Sequence, residues 1–447
     1  MTRLSALDAD LLAHYVARTP RSKALYERAL RVMPGGDTRT GTFHLPYPLF
    51  VSRGHGCRIW DADGNDYLDF LNNFTSLIHG HAHPSVQDAL LKQGTQGTVH
   101  GTANELQVEL AEVLCRRVPS VERLRFCNSG TEASLFALRG AKAFTGRPMI
   151  MKMEGGYHGS HDQVSVAMAP PYDTTASHGL SPGAVSEVIL GSLNDLEFTA
   201  GMIRRHRDQL AAVIVEPMMG AGGCIVAEPE FLRGLRTVTE ECGVLLILDE
   251  IITFRLGFGG IQGHLGLRPD LTCFGKIIGG GLPVGAFGGR ADVMAVFDPT
   301  RPGPIIHSGT FNGNAATMAA GLRTLELFSE PVISELNRKG DALRARLNAS
   351  AVRLGIDAFV AGSGSLMQLH FLKPPLTNVR DAGRGSREML RALHLYLLNH
   401  GGFVPSRQMY VLSTAMTDEV IDTMASHVEA GLAAIADAVS LEKAHAR

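Results

Sequence analysis

A chain of 447 residues is longer than a typical single domain, so we expect two domains, one larger than the other. The composition, with 45% hydrophobic and 19% charged residues, is that of a globular protein with enough apolar residues for an extensive core. The net charge of −2 gives no reason to expect a nucleic-acid partner, and the absence of a run of about 18 apolar residues predicts no membrane span.

The cysteines and the N-terminus indicate the cellular compartment. The six cysteines form no CxxC pair and most lie in apolar runs, which favours buried, reduced thiols in a cytoplasmic protein. The first residues, MTRLSALDADLLAHYVARTP, include acidic residues and no continuous apolar run, so we expect no signal peptide.

The N-terminal region predicts a helix followed by a hairpin. Residues 5–32 carry apolar residues at helical spacing and end at MPGGD, which predicts helical structure. The segment GCRIWDADGNDYLDF (56–70) predicts two short strands joined by a turn at Asp63-Gly64.

From about residue 105, strands alternate with helices. Continuous apolar strands in such an alternation are typical of a parallel sheet with helices on both faces. The predicted elements are the strand RLRFCN, the helix TEASLFALRGAKAFTG, the strand PMIMKM, the strand AAVIVEP (211–217), a helix over 229–241 and the strand VLLILDE (244–250).

The pattern changes again after about residue 325, where it indicates an α+β second domain. Its predicted elements are a helix over 332–354, strands near 356–372, a helix near 386–400, a strand over 409–413 and a closing helix from Asp418.

Ligands of a parallel sheet bind beyond the carboxyl ends of its strands, so the residues that follow each strand are the candidates for a site. After RLRFCN, residues Ser129, Gly130 and Thr131 open a helix, whose free backbone N–H groups and dipole suit a phosphate. The alternative is an ordinary helix cap formed by Ser129 or Thr131.

Three further strand ends carry chemical groups. The loop EGGYHG places Tyr157 and His158 after PMIMKM, where an aromatic ring could stack on a flat ligand or simply pack. Asp249 ends a run of apolar residues and is costly to bury without a partner, unless the strand end is exposed. Lys276 ends LTCFGK and is followed by GGG at 279–281.

This set of groups matches the needs of pyridoxal 5′-phosphate. That cofactor requires a lysine to form a Schiff base, an acid beside its ring nitrogen, a helix start for its phosphate and a flat surface for its ring. The residues therefore predict a pyridoxal phosphate site, and the glycines after Lys276 would let the backbone turn closely around the cofactor.

The motifs SGTEAS, GGYHG, VEP, LDE, GKIIGGGLPVGAFGG and HSGTFNGN resemble those of class III aminotransferases of fold type I, in the glutamate-1-semialdehyde aminomutase-like branch. The resemblance extends over nearly the whole chain from about residue 25. It implies an α/β fold with a mostly parallel seven-stranded sheet in a large domain (76–325), a smaller C-terminal α+β domain (326–447), and an N-terminal segment (1–75) packing with the small domain. It also implies a homodimer with active sites at the interface.

The resemblance assigns roles to individual residues. Lys276 would be the Schiff-base lysine and Asp249 the partner of the pyridine nitrogen, both catalytic. The other residues implied at the cofactor are Ser129, Gly130 and Thr131 at the phosphate, Tyr157 over one ring face and Ile251 under the other, together with His158 and Glu216, and Thr310 reaching the phosphate of the neighbouring subunit's cofactor.

Within that branch the chain resembles the aromatic β-amino-acid aminotransferases, which share strings like GGRADVMAVFDP, HSGTFNGN and ALRARLNA. The resemblance implies that Arg39 binds the carboxylate of a β-amino acid of the β-phenylalanine type, and that a mobile Arg407 binds the α-carboxylate of 2-oxoglutarate or pyruvate in a ping-pong reaction. Without the resemblance, either arginine could be an ordinary surface residue. An aminomutase that moves the amino group within one molecule is the alternative enzyme, and a non-enzymatic binding protein is the alternative outside catalysis.

Two other patterns suggest sites only superficially. The histidines of HGHAHP (79–83) and HGSH (158–161) lack carboxylate partners at ligand spacing, so we expect no metal. The stretch GFGGIQG (257–263) imitates a dinucleotide-binding loop but follows no strand.

Overall fold

A computed structural model describes residues 3–172 and 179–445 of the chain. Its strands, numbered in chain order, are β1 (Val51–His55), β2 (Arg58–Asp61), β3 (Asp66–Asp69), β4 (Arg123–Cys127), β5 (Met149–Met153), β6 (Val188–Gly191), β7 (Leu210–Val215), β8 (Met218–Met219), β9 (Ile225–Val226), β10 (Leu245–Asp249), β11 (Leu271–Gly275), β12 (Gly285–Gly289), β13 (Phe359–Ser363), β14 (Leu366–His370), β15 (Gly402–Phe403) and β16 (Met409–Val411).

The helices pack around these strands. They are Arg3–Arg18, Pro20–Ala29, Pro84–Gly94, Glu105–Arg117, Gly130–Thr145, Asp162–Ser165, Pro182–Ser186, Leu196–His206, Pro229–Glu241, Gly260–Leu265, Ala291–Met294, Ala315–Leu327, Glu330–Arg353, Val379–Ala382, Arg387–Asn399 and Asp418–His445. Short 3₁₀ turns occur at Pro34–Gly36, Thr40–Thr42, Thr253–Leu256, Lys276–Gly279 and Ala295–Phe297, and a four-residue helical turn at Asn72–Thr75 is left-handed.

The central element is a seven-stranded sheet with the order β4-β12-β11-β10-β7-β5-β6. Only β12 runs antiparallel to its neighbours, so the expected mostly parallel seven-stranded sheet is confirmed. Every residue of β7, β10 and β11 is buried, which explains their continuous apolar sequence. The parallel arrangement brings the ends of β4, β5, β7, β10 and β11 to one edge of the sheet.

Strand β12 did not emerge from the sequence because its sequence, GAFGG, is rich in glycine. The glycines are needed for packing, since a Cβ at Gly285 would collide with the carbonyl oxygen of Ser129, and one at Gly288 with that of Arg123. The strand therefore lies unusually close to the backbone on either side.

The described residues form three smaller sheets beside the central one. β1, β2, β3 and β15 form a four-stranded sheet, β13, β14 and β16 form an antiparallel three-stranded sheet, and β8 and β9 form an antiparallel pair. The predicted hairpin within 56–70 is confirmed as β2 and β3, with Gly64 in the turn at φ 91°. Because β15 belongs to the C-terminal part of the chain, the N-terminal strands share a sheet with it.

The predicted helical region over 5–32 is helical over most of its length and is divided into two. The structure has two helices, Arg3–Arg18 and Pro20–Ala29, which meet at Thr19. Proline lacks the N–H that a continuous helix requires and disfavours helical geometry in the residue before it, so Pro20 starts a new helix. Among the described residues, no helix is both long enough and apolar enough to cross a lipid bilayer.

Candidate active site

The start of helix Gly130–Thr145 provides free backbone donors at the sheet edge. Ser129 caps the helix, its Oγ accepting from the N–H of Glu132 at 3.1 Å. This leaves the N–H groups of Gly130 and Thr131, which have no intrahelical acceptor because they belong to the first turn. The geometry is therefore compatible with both alternatives. Ser129 forms an ordinary helix cap, and the N–H groups of Gly130 and Thr131 are the donors that a phosphate would need.

The loop after β5 packs directly onto this helix start. A Cβ at Gly159 would lie 2.6 Å from Oγ1 of Thr131, and the carbonyl of His158 accepts a hydrogen bond from the Ser134 hydroxyl. Tyr157 is 40% exposed, whereas His158 is buried. The loop thus presents an accessible aromatic ring and a buried imidazole to the same edge of the sheet.

Asp249, at the end of β10, is buried and fully engaged with the protein. One carboxylate oxygen lies 2.8 Å from Nδ1 of His158, and the other accepts from the N–H of Ile251 at 3.1 Å. The second ring nitrogen of His158 is buried and has no hydrogen-bond partner in the described part of the chain.

Glu216 contributes a second buried carboxylate, directly after β7. Its two oxygens accept from the N–H groups of Tyr157 and Gly220, each at 3.0 Å. Burial raises the pKa of Glu216, and the negative charge of Asp249 acts in the same direction. The residue therefore holds the Tyr157 loop in place.

Lys276 follows β11 and has a strained backbone, with φ at 52°. A non-glycine residue in the left-handed region costs about 1 kcal/mol, and such strain is typical of functional sites. Burial among its neighbours lowers the pKa of the Lys276 amine, while Asp249 and Glu216 oppose the shift and Arg407 adds to it. A larger fraction of the Lys276 amine is therefore neutral than in an exposed lysine.

Two of the glycines after Lys276 lie tightly against other parts of the protein. A Cβ at Gly279 would lie 2.5 Å from a side-chain methyl of Val284, and one at Gly280 would lie 2.5 Å from the carbonyl oxygen of Ala320. The space that these glycines leave is filled by the protein itself, so they allow close packing of helix Ala315–Leu327.

These residues fit pyridoxal phosphate on three structural grounds. The helix start offers the N–H groups of Gly130 and Thr131 directly beside Ile251, since a Cβ at Gly130 would lie 2.7 Å from Cδ1 of Ile251. His158 Nε2 is left without a partner. The Lys276 amine has a lowered pKa, as a group that reacts with an aldehyde requires.

Arg407 reaches this site from the loop before β16. Its Nη2 contacts the sulfur of Met409 at 3.3 Å, and its Cζ lies 5.4 Å from the ring centre of Phe74. Nε is buried without a hydrogen-bond partner in the described residues. Burial lowers the pKa of Arg407, and the negative charge of Glu216 opposes that shift. Several donors of this cation remain uncommitted.

Arg39 lies on the N-terminal loop and is exposed. Its Nη1 donates to Oδ1 of Asn73 at 2.6 Å. Both residues line a cavity of about 640 Å³, whose wall also includes Leu77 and Gly281. Since Gly281 belongs to the segment that follows Lys276, the cavity adjoins the lysine loop.

The turn that carries Asn73 and Phe74 was missed from the sequence. Asn72, Asn73, Phe74 and Thr75 all have positive φ, between 47° and 77°. The two consecutive asparagines were the available signal, because asparagine tolerates the left-handed region better than other non-glycine residues.

Thr310 is the predicted cofactor residue that stands apart. It is exposed in the segment that follows Ile306, itself 79% exposed, and Phe311, 56% exposed, adjoins it. Asn312 Oδ1 accepts from Asn128 Nδ2 at 2.9 Å, which ties this segment to the residue before Ser129. The role of Thr310 toward a second subunit stays a prediction.

His79 and His81 of the histidine pattern at 79–83, and backbone N–H groups of GFGGIQG, are hydrogen-bonded to other groups of the protein. His81 Nε2 lies 2.7 Å from the Asp69 carboxylate, and His79 is hydrogen-bonded to Thr414 and Thr324. In GFGGIQG, the N–H groups of residues 261 and 262 donate to the buried carboxylate of Glu250. That carboxylate fills the place where a dinucleotide phosphate would bind.

Comparison with known proteins gives concordant matches. Residues 41–428 match the family model described as aminotransferase class-III. A β-phenylalanine transaminase from Variovorax paradoxus is 42% identical over 416 residues, 93% of each chain. A glutamate-1-semialdehyde 2,1-aminomutase from Exiguobacterium sibiricum is 40% identical over 421 residues, covering 92% of this chain and 95% of its own. The crystal structure of an omega-transaminase from Sphaerobacter thermophilus superposes with a TM-score of 0.90 at 41% identity, covering 93% of this chain and 98% of its own.

Proposed function

The chain belongs to the class III aminotransferases and is a pyridoxal 5′-phosphate-dependent aminotransferase of fold type I, and from this premise we propose that it transfers the amino group of an aromatic β-amino acid to 2-oxoglutarate or pyruvate. Identity to an aminomutase is almost as high as to the β-phenylalanine transaminase, so overall similarity does not select the substrate. The choice rests on the two arginines.

The observation that carries the proposal is the placement of Arg39 and Arg407. The two cations contact neighbouring residues, Asn73 and Phe74, of one turn. A guanidinium binds a carboxylate through two parallel hydrogen bonds, which an ammonium cannot reproduce. Two such cations supply separate binding sites for the carboxylate of a β-amino acid and the α-carboxylate of a keto acid. An aminomutase, which needs no second substrate, has no use for both.

The shape of the cavity beside Arg39 supports an apolar donor side chain. Apolar side chains form much of its wall, among them Leu49, Phe50, Leu71, Phe403 and Val404. An aromatic ring buried against such a wall contributes roughly 1.5–3 kcal/mol of binding free energy. We therefore assign the aromatic side chain of the donor to this cavity.

We propose that the cofactor is held by the groups assembled at the sheet edge. The N–H groups of Gly130 and Thr131 would bind its phosphate, with Ser129 capping the helix start. Ile251 and Tyr157 would hold its ring, with the Tyr157 loop held by Glu216. When bound, pyridoxal phosphate supplies an electron-withdrawing ring that stabilises negative charge on the substrate carbon next to the amino group.

The acid–base work falls to Lys276, Asp249 and His158. Lys276 Nζ, whose pKa is lowered by burial, would take the proton from the substrate carbon and deliver it to the cofactor within the same half-reaction, and would carry a proton in the reverse direction in the second. Asp249 would hold the ring nitrogen of the cofactor. His158 acts through Asp249 as a positioning residue, since its Nδ1 fixes the carboxylate. The two half-reactions then follow each other in a ping-pong cycle.

We further propose a homodimer in the cytoplasm, with the N-terminal segment 1–75, the large domain 76–325 and the small domain 326–447 as its parts. The exposed apolar side chains Ile306 and Phe311 beside Thr310 support an interface at that segment. The shared sheet of β3 and β15 supports the packing of the N-terminal segment on the C-terminal part. The free cysteines support a reducing compartment.

The deciding experiment is a substrate panel with the holoenzyme. β-Phenylalanine is expected to turn over only when 2-oxoglutarate or pyruvate is present, with the keto acid consumed in equal amount. Isomerisation of glutamate-1-semialdehyde without any acceptor, at a rate above that with β-phenylalanine, would instead assign the aminomutase reaction.

A further inference from the structure

The left-handed turn Asn72–Thr75 is unusual because four consecutive non-glycine residues hold positive φ. Single residues of this kind occur in turns, but a run of four is strained and persists only where the surroundings impose it. Its second and third residues, Asn73 and Phe74, contact Arg39 and Arg407. The strain is therefore stored in the segment that lies between the two cations.

Buried polar groups fix the beginning of the turn. Oδ1 of Asp69 accepts from the N–H groups of Leu71 and Asn72, at 2.8 and 2.9 Å. The side-chain amide of Asn72 donates to the carbonyl of Val411 at 2.8 Å. The first residue of the turn is thus tied to β16, the strand that follows Arg407.

A buried arginine fixes the end of the turn to the same strand. Arg255 is fully buried, and its guanidinium donates to the carbonyls of Thr75 and Leu412 and to the hydroxyl of Ser365. Arg255 has no carboxylate partner in the described residues, so its donors are spent on backbone and hydroxyl oxygens. Both ends of the turn are consequently attached to the segment 411–412.

The turn holds each arginine by a different interaction. Asn73 Oδ1 accepts one N–H of Arg39, which orients the guanidinium while leaving its other donors free. Phe74 lies against the guanidinium of Arg407, an interaction that consumes no hydrogen-bond donor. Gly41, on the loop of Arg39, borders the Phe74 ring, since its Cβ would lie in van der Waals contact with Cζ of that ring at 3.5 Å.

We propose that this left-handed turn determines substrate specificity by setting the positions of both carboxylate-binding arginines, with Asn73 as the positioning residue of the amino donor and Phe74 that of the keto-acid acceptor. The inference rests on the proposed function, because it takes Arg39 and Arg407 as the carboxylate ligands. It adds that neither arginine is correctly placed without its partner in the turn. One segment then positions both recognition sites, with Arg39 on one residue of the turn and Arg407 on the next.

The test uses four variants of the holoenzyme for the turn and its controls, the reference variants Arg39→Ala and Arg407→Ala, and two unreactive ligands. 3-Phenylpropanoate represents a donor without its amino group, and glutarate represents an acceptor without its keto group. Their dissociation constants are measured by calorimetry, and KM and kcat are measured for each half-reaction. The variants are Asn73→Gly, which keeps the left-handed backbone without strain, Phe74→Leu, and the controls Asn194→Gly and Phe258→Leu.

Each control makes the same substitution at a residue of the same kind outside the turn. Asn194 also has positive φ, at 63°, and lies after the edge strand β6. Phe258 lies under the guanidinium of Arg117, 4.2 Å from Cζ. Each control therefore removes the same group as its counterpart without touching Arg39 or Arg407.

We expect Asn73→Gly to weaken 3-phenylpropanoate binding about tenfold and glutarate binding less than twofold, since a hydrogen bond to a charged group is lost. Phe74→Leu should weaken glutarate binding by about threefold to fivefold and leave 3-phenylpropanoate within twofold, as for loss of a cation–π contact. KM should follow the same split with little change in kcat. The controls should alter neither ligand.

Two results would overturn the proposal, and they are distinguishable from failure of the proposed function. If Arg39→Ala and Arg407→Ala each weaken one ligand selectively while Asn73→Gly and Phe74→Leu behave like their controls, the turn has no positioning role although the function stands. If Asn73→Gly and Phe74→Leu weaken both ligands equally, the turn is only structural. If the arginine variants show no selectivity, the proposed function fails, and the inference fails with it.

Discussion

His158 and Asp249 form a buried pair in which the imidazole Nδ1 lies 2.8 Å from a carboxylate oxygen, while Nε2 of the same ring has no partner in the described chain. The pair joins the loop after β5 to the end of β10, two elements separated along the chain by 91 residues. Its geometry makes His158 the residue that orients the carboxylate.

Replacing Asp249 by asparagine should lower kcat by about 10²–10³-fold, since removing one preorganised electrostatic group from an active site costs roughly 2.7–4 kcal/mol. His158→Ala should produce a smaller loss, and His158→Asn should recover part of it, because the asparagine amide places a donor near the position of Nδ1. Steady-state kcat and the cofactor dissociation constant measure both effects. Equal kcat in His158→Ala and His158→Asn would exclude positioning of Asp249 through this hydrogen bond.

Lys276→Ala should abolish turnover and the visible absorbance of cofactor bonded to the protein, while circular dichroism stays that of the wild type. The buried amine of Lys152 is committed to another partner, since it donates to the carbonyl of Val166 at 2.8 Å. A homogeneous Lys276→Ala preparation that turns over normally would refute the catalytic assignment.

Replacing each of the two arginines by alanine should impair a different half-reaction. Arg407→Ala should raise KM for 2-oxoglutarate at least about tenfold, because a lost charge-assisted hydrogen bond costs roughly 1.5–3 kcal/mol. Arg39→Ala should instead impair the single-turnover reaction with the β-amino acid. Absorbance changes of the cofactor follow each half separately. A loss of the same size in both halves would point to a general defect and contradict two separate carboxylate sites.

Thr310→Ala should weaken retention of the cofactor, and activity should be confined to dimers. Dialysis followed by quantification of the bound cofactor measures the first effect. Sedimentation of the active species in an analytical ultracentrifuge measures the second. Thr300→Ala is a suitable control, because Thr300 bonds only to Asp298 on an exposed turn in the described structure. Full activity in a demonstrated monomer would contradict a phosphate contact between subunits.

Lys152 provides a prediction about stability that is independent of the reaction. It is completely buried, and burial lowers its pKa to about 8 from the ordinary 10.5. Between these two values the unfolded chain binds more protons at this position than the folded chain, so its contribution to stability increases with pH by up to about 1.4 kcal/mol per unit. Below about pH 8 the folded protein bears the full cost of burying the charge.

The measurement compares wild type with Lys152→Met by denaturant unfolding from pH 7 to 10. Groups common to both proteins cancel in the difference, so the wild type should gain stability relative to the variant as pH rises through 8 to 10. A difference that is constant with pH would show that Lys152 keeps an ordinary pKa in the folded protein.

The sequence by itself determined the residue types at the strand ends and, through them, the cofactor and the fold class. Apolar strands alternating with helices can form only a covered parallel sheet, and Asp249 and Lys276 end two such strands in β10 and β11. The parallel sheet and the cofactor needed only local patterns and one topological rule, whereas the seven-stranded fold type I architecture was implied by the resemblance to class III aminotransferases.

Tertiary structure decided what depends on contacts distant in the chain. The sequence could not indicate that His158 binds Asp249, that Glu250 fills the apparent dinucleotide loop, or that Gly280 makes room for Ala320, because each contact joins separate elements. The same holds for the left-handed turn at Asn72–Thr75: its backbone is unfavourable locally and is imposed by Asp69, Arg255 and the carbonyl of Val411. Local propensity predicts what a segment prefers, and only packing can hold a segment in a conformation that it does not prefer.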